Sequence, residues 1–319
     1  MTDDVQAVRL DSFFPEQMEQ TVRGAAFDHL QLGPGRFLAD LVHGTLPAAC
    51  FDWGSYNLPL RVKGSMPRES VTLGFVSSAG SGGMLNGIRL EHPSIVILPE
   101  DGELDYCMAP HTRWAALQVP RETLESLGIA VTAGEIEVLP RPGQDGAMLG
   151  KGLAETASLL METGAASGTV PEPSRHLSSM QERLIAAFAT RLQPEPLSRH
   201  GPTDANLHRL AARAEAYLHA NLSAEIRITD LCQTLGSSLR TIERAFLKTR
   251  GTTPKQFLTI LRLNAARREL LRHTRREHSV SDVAIHYGFT HLGRFSMQYR
   301  LHFGESPLAS LQRPVTKTH

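Results

Sequence analysis

The chain is predicted to be an α+β protein of several domains, with a β-rich N-terminal part that carries some helices and an all-α C-terminal third. Three observations lead there. At 319 residues it exceeds the roughly one to two hundred of a single domain. Its formal net charge of zero is a cancellation: residues 1–202 carry 15 Lys+Arg against 24 Asp+Glu and residues 203–319 carry 18 against 9, so the parts stand at −9 and +9. In the basic part alone, a helical pattern of apolar residues occurs twice, 52 residues apart.

Composition excludes several classes. With 41% apolar and 21% charged residues the chain is globular, neither disordered nor fibrous. No run approaches the roughly 18 apolar residues of a membrane span, and Met1-Thr2-Asp3-Asp4 lacks a signal peptide's basic start, so a cytoplasmic protein is expected. Cys50, Cys107 and Cys232 lie far apart and are expected to be reduced packing residues, not a zinc knuckle or a disulfide framework.

From the N-terminus, apolar runs at 37–42, 71–76, 94–98 and 104–108 are separated by Gly/Pro turns such as Pro99-Glu100-Asp101-Gly102, which predicts strands. Gly80-Ser81-Gly82-Gly83 lacks the last glycine of a dinucleotide loop, and Ala79 stands where a nucleophile elbow needs glycine; a hairpin tip is expected instead. Two Pro/Gly/Ser-rich stretches, 164–174 and 193–203, read as connectors. Domains are therefore expected at 1–165 and 203–319, joined by a helix at 174–193. In that helix Leu177, Met180, Leu184, Phe188 and Leu192 form an apolar stripe that packs either on its own domain or on a second subunit.

The basic third opens with an amphipathic helix bearing Leu207, Leu210, Ala211, Ala214, Tyr217 and Leu218. Then Ile228, Leu231, Cys232 and Leu235 fall at 0, 3, 4 and 7, Gly236 follows, and Leu239, Ile242 and Phe246 fall at 0, 3 and 7. Val280, Val283, Ala284 and Tyr287, then Gly288, then Leu292, Phe295 and Tyr299 repeat the unit, with one residue gained in the second turn. Helix, glycine turn, helix is the outline of a helix-turn-helix, whose second helix reads DNA. Between the units, Thr253-Pro254-Lys255-Gln256 is a helix start with a capping box. A helix from there to about Leu271 is roughly 27 Å long, enough to hold two reading heads about one DNA turn apart. Ser306-Pro307 starts a closing helix.

With Leu239, Ile242 and Phe246 inward, the first reading helix presents Arg240, Thr241, Glu243, Arg244 and Lys248. Arg bonds guanine bidentately, Glu accepts from a cytosine amine and Thr touches a thymine methyl. Glu243 either does this or orients an Arg. On the second helix the candidate base contacts are Leu292, Arg294, Ser296 and Met297, although Gly293 offers no side chain and Met297 reads only shape or methyls. Arg294 and Ser296 equally suit phosphate, where most protein–DNA hydrogen bonds go. Candidate phosphate contacts are Ser238, Lys248, His291, Gln298 and Arg300. Arg267, Arg268, Arg272, Arg275 and Arg276 cluster near the end of the spacer helix and are expected to be a solvated face, with phosphate contact as the second reading.

These residues resemble a known family. GFTHLGRFSMQYRLHFGESP at 288–307 resembles the signature of the AraC/XylS-type transcriptional regulators across their second helix-turn-helix, and LCQTLGSSLRTIERAF at 231–246 resembles the first. The resemblance spans about the last 110 residues. It implies a DNA-binding domain with two recognition helices in successive major grooves of double-stranded DNA. Arg240, Thr241, Glu243 and Arg244 stand at the family's base-contacting positions. It also implies a companion domain that senses a small-molecule effector or forms a homodimer, contact with RNA polymerase, and activation as the sign of regulation.

The N-terminal part is similar in placement and texture to the cupin-like sensor domains of that family. His43, His92 and His111 stand isolated, without the H-x-H pattern and carboxylate of a metal cupin, so no metal, no cofactor and no enzymatic activity are expected. Trp53, Tyr56, Phe75, Tyr106 and Trp114, with Arg61, His92 or His111 as polar anchors, are candidates for an effector pocket, the alternative being ordinary core. A constitutive dimeric regulator and a cupin enzyme with a DNA-binding tail are the rival functions.

Overall fold

The computed structural model describes residues 5–139, 150–158 and 202–313, with short breaks that include 79–82 and 273–278, and also Gln181, Glu182, Ile185, Ala186 and Phe188. The N-terminal part is β-rich, a pair of antiparallel sheets. Its strands are β1 (Val5–Leu10), β2 (Ala26–Gln31), β3 (Ala39–Leu46), β4 (Ala49–Tyr56), β5 (Leu60–Ser65), β6 (Val71–Ser78), β7 (Met84–Leu85), β8 (Ile88–Arg89), β9 (Ser94–Leu98), β10 (Glu103–Cys107), β11 (Thr112–Val119) and β12 (Glu137–Leu139). One sheet has the order β1-β3-β4-β11-β6-β9-β12 and the other β2-β5-β10-β7-β8.

Strand alternation divides the apolar residues between two cores. Tyr56, Val76, Val96, Trp114 and Ala116 of the larger sheet face Phe27, Val62, Leu104 and Tyr106 of the smaller one. Their neighbours Phe51, Leu73, Phe75, Ile95 and Leu117 point the other way, where Leu124 of α1 (Arg121–Ser126), Leu153, Ala157, Ile185 and Phe188 cover them. Of the stripe expected in the 174–193 helix, Phe188 thus packs on this first domain, while Leu177, Met180, Leu184 and Leu192 lie outside the described residues, as does the hairpin tip at 79–82. In the β4/β11 pair Gly54 stands opposite Trp114, and a Cβ on it would meet the indole ring at 2.5 Å, so the position admits only glycine.

The C-terminal part is helical: α2 (Pro202–Ala220), α3 (Ile228–Leu235), α4 (Leu239–Arg250), α5 (Pro254–Arg272), α6 (Val280–His286), α7 (Leu292–Phe303) and α8 (Pro307–Leu311). The predicted repeat is present down to its turns. Gly236 takes φ 60° and Ser237 N–H donates to Cys232 O at 3.1 Å; Gly288 takes φ 75° and Phe289 N–H donates to Ala284 O at 2.9 Å. At the start of α5 the Gln256 N–H donates to Thr253 Oγ1 at 3.3 Å and the Thr253 N–H to Gln256 Oε1 at 3.2 Å, which closes the capping box. This helix gives Phe257 and Leu261 to the core of the first unit and Leu263, Ala266 and Leu270 to that of the second. Its 19 residues span about 28 Å.

Two expectations fail at particular residues. Leu239 does not point inward: it is 40% exposed, because it opens α4 ahead of the turn in which Ile242, Ala245 and Phe246 are buried. The arginines of the spacer helix are only in part a solvated face. Arg267 is fully buried and Arg268 is half-buried and pairs with Asp28 at 2.5 Å, both against the N-terminal domain, while Arg272 stays exposed and pairs with Glu16 at 3.0 Å. Arg275 and Arg276 lie outside the described residues.

Candidate nucleic-acid interface, domain junction and ligand cavity

The predicted DNA-reading side chains of the first unit share one surface. Arg240, Glu243, Arg244, Leu247 and Lys248 line a shallow depression along α4. Arg240, Arg244 and Lys248 are exposed, Thr241 and Glu243 half-buried. Ser238 is already occupied as the N-cap, its Oγ accepting from Thr241 N–H at 3.3 Å. In the second unit His291, Leu292, Arg294, Ser296, Met297 and Arg300 are exposed and Gln298 is half-buried. Met297 is 67% exposed, and Phe295 and Tyr299 between these positions are buried.

The opposite ends of these helices hold the N-terminal domain. Arg250, the last residue of α4, donates from Nη2 to Asp105 Oδ2 on β10 at 2.7 Å and from Nε to Glu215 Oε2 on α2 at 3.3 Å. Arg61 on β5 closes a four-charge ring, with Nε donating to Asp105 Oδ1 at 2.9 Å and Nη1 to Glu215 Oε1. All four side chains are largely withdrawn from water, where breaking such a pairing is costly. Burial alone raises the Asp105 carboxyl, but the Arg250 and Arg61 charges outweigh it and hold the group below its ordinary range. Burial lowers the pKa of nearby His208, against the pull of Asp105.

At the second unit, Gln31 and Asn264 exchange two hydrogen bonds of 3.1 Å, and Gln31 Nε2 donates to His302 O at 2.6 Å. Burial pushes the His302 imidazole down to about 4. Arg267 donates to Phe13 O at 2.6 Å, Ser12 Oγ at 2.8 Å and Glu305 Oε1 at 2.8 Å, with its guanidinium 4.6 Å from the Phe303 ring centroid. Both helix-turn-helix units are therefore held against the N-terminal domain, through Arg250 and His302 near the ends of α4 and α7 and through Arg267 on α5.

A cavity of about 70 Å³, taken as space open to the centre of a water molecule, lies between the two sheets. Tyr56, Tyr106 and Trp114 line it, as the sequence suggested, together with His29, Thr72 and Thr21 and a wall of Val, Leu, Met and Phe. The other candidates are elsewhere. Phe75 and Trp53 belong to the core on the far face of the larger sheet, Arg61 to the four-charge ring, and His111 to a surface cleft beside Tyr56. His92 lies outside the described residues. Sequence reasoning missed His29 and Thr72, although Thr72 shares strand parity with Gly74 and Val76, which also line the cavity. Among the described residues no cluster of three His, Cys, Asp or Glu could hold a metal ion, and no helix is long and apolar enough to cross a membrane.

Residues 231–313 match the family described as a helix-turn-helix domain. The probable thc operon regulatory protein of Rhodococcus erythropolis is 34% identical over 96 residues, 30% of this chain and 29% of that protein. The transcriptional activator NphR of a Rhodococcus species is 29% identical over 235 residues, 69% of this chain and 64% of that protein. A solved structure of a probable AraC family transcriptional regulator from Rhodopseudomonas palustris is 35% identical, covers 33% of this chain and 99% of that one, and has a TM-score of 0.31. The chain spans less than two thirds of the length of these curated relatives. The matched residues 231–313 hold both glycine-turned units, so this part of the chain is an AraC-type helix-turn-helix domain.

Proposed function

We propose that this chain is a sequence-specific, DNA-binding transcriptional regulator that responds to a small-molecule effector. The observation that carries it is the pair of helix-turn-helix units built on one spacer helix, in the part of the chain with net charge +9. Residues 203–319 grip double-stranded DNA, with Arg240, Thr241, Glu243 and Arg244 reading bases in one half-site and Leu292, Arg294, Ser296 and Met297 in the other. Ser238, Lys248, His291, Gln298 and Arg300 position the backbone. Residues 1–165 sense and dimerise, and the 174–193 helix links the two.

An effector acts by linkage: bound better by one arrangement of the domains, it shifts operator occupancy by that difference in affinity. The buried contacts from Asp105 and Gln31 to the ends of the recognition helices, and from Phe13 to Arg267 on the spacer helix, supply a physical route for it. Activation is the proposed sign, since NphR bears the name of an activator. RNA polymerase and a second copy of the chain are the proposed protein partners, the cytoplasm the proposed compartment, and no catalytic step is assigned to it.

The test is a pair of substitutions read on specific and random duplexes over a salt series. Arg240→Ala is expected to relax base preference at one position, losing about 1–3 kcal/mol on the specific duplex only. Arg300→Ala is expected to weaken both duplexes alike and to reduce the salt slope by about one. Equal losses on both duplexes for Arg240→Ala contradict its assignment to base reading.

A further inference from the structure

We infer that the cavity between the sheets takes a small uncharged molecule, largely apolar and about one ring in size, that carries a hydroxyl or carbonyl group; this rests on the effector-sensing reading above. The wall sets the apolar character. Phe27, Val62, Val96, Leu104 and Met108 surround the space, and none of the lining residues is a lysine, arginine, aspartate or glutamate. A carboxylate or ammonium brought here would be stripped of water with no partner of opposite charge, at a cost that excludes it.

The polar group of the ligand follows from four atoms that the protein leaves unmatched. His29 Nδ1, Thr72 Oγ1, the Tyr106 hydroxyl and Trp114 Nε1, the last a donor only, are buried and have no hydrogen-bond partner, and all four residues line the cavity. Tyr106 and Thr72 both donate and accept, and burial raises the Tyr106 pKa so that the hydroxyl stays protonated. Burial likewise pushes the His29 imidazole down to about 4, so at neutral pH it offers hydrogen bonds and no charge. A hydroxyl or carbonyl oxygen meets these donors and acceptors. The 70 Å³ open to the centre of a water molecule leaves room for a molecule of ring size.

The same strands carry the signal outward. His29 and Tyr106 line the cavity, while Asp28 and Asp105, one residue earlier on β2 and β10, face the opposite way onto Arg268 and Arg250 of the DNA-binding domain. A ligand that orders the inner residues of β2 and β10 therefore acts on both clamps.

Thermal unfolding of the full chain at neutral pH, with 4-methylphenol, benzyl alcohol and acetophenone as probes, tests this against benzoate and toluene. The three uncharged oxygenated probes are expected to raise the midpoint at millimolar concentration, toluene less, and benzoate not at all. Tyr106→Phe is expected to fold with an unchanged or higher midpoint, since it removes an unmatched hydroxyl, and to lose about tenfold in affinity for the oxygenated probes but not for toluene. Stabilisation by benzoate equal to that by the alcohols, or no shift with any of the three oxygenated probes, overturns the ligand class. Ala116→Phe, which fills the cavity, separates the two failures. If it alters operator binding when no probe binds, the sensing reading survives without this ligand class; if it leaves operator binding unchanged as well, both fall.

Discussion

Replacing Arg267 by alanine is expected to lower the stability of the full chain by about 3–5 kcal/mol, as expected for breaking a buried charged network. The side chain is fully buried, and its three short hydrogen bonds join α5 to the carbonyl of Phe13, the hydroxyl of Ser12 and the carboxylate of Glu305. Its loss strands the Phe13 carbonyl and the Ser12 hydroxyl in a dry junction. Glu305 fares better because Arg313 also holds it, at 2.5 Å. Arg267→Lys should recover little, since one ammonium cannot reach groups that a planar guanidinium spans. Urea unfolding followed by circular dichroism measures both variants; a loss below about 1 kcal/mol for Arg267→Ala would contradict the clamping role.

The second large effect is expected at Asp105. Asp105→Asn keeps the shape but leaves Arg61 and Arg250 sharing the single carboxylate of Glu215, and should cost about 3 kcal/mol. The double variant Arg61→Met with Asp105→Leu removes one charge of each sign and leaves Arg250 paired with Glu215, so most of that loss should return. A double variant as unstable as Asp105→Asn would show that the ring stabilises through something other than charge pairing. Because Arg250 ends the first recognition helix, Asp105→Asn should also change operator affinity, which a stability effect confined to the N-terminal domain would not do.

The C-terminal units were legible because their signals are local. Apolar spacing, a glycine at the turn and a Thr-Pro-x-Gln start each act within one or two helical turns, and the structure reproduces them with matching hydrogen bonds in both copies. Strands were less legible. β11 reads TRWAALQV, whose Ala-Ala pair and scattered polar residues do not look like a strand until partners on both sides supply its pairing. The cavity was half legible. Aromatic residues drew attention to Tyr56, Tyr106 and Trp114, but Phe75 stands one residue from the lining Gly74 and Val76 and Trp53 three residues from Tyr56, and an odd offset on a strand reverses the face.

The domain junction was not legible at all. Arg267, Arg268 and Arg272 lie on a helix between two DNA-reading units, where basic residues are expected to meet solvent or phosphate. Their partners Ser12, Phe13, Asp28 and Glu16 are more than 200 positions away in sequence, and nothing in the periodicity of either segment announces that pairing.

Everything proposed for the C-terminal third depends on two recognition helices entering neighbouring major grooves of one duplex. Hydroxyl-radical footprinting of the full chain on a selected high-affinity duplex measures this most directly. The account predicts two protected tracts on the same face of the DNA, separated by about one helical turn. Protection limited to a single tract, or two tracts on opposite faces, would contradict it.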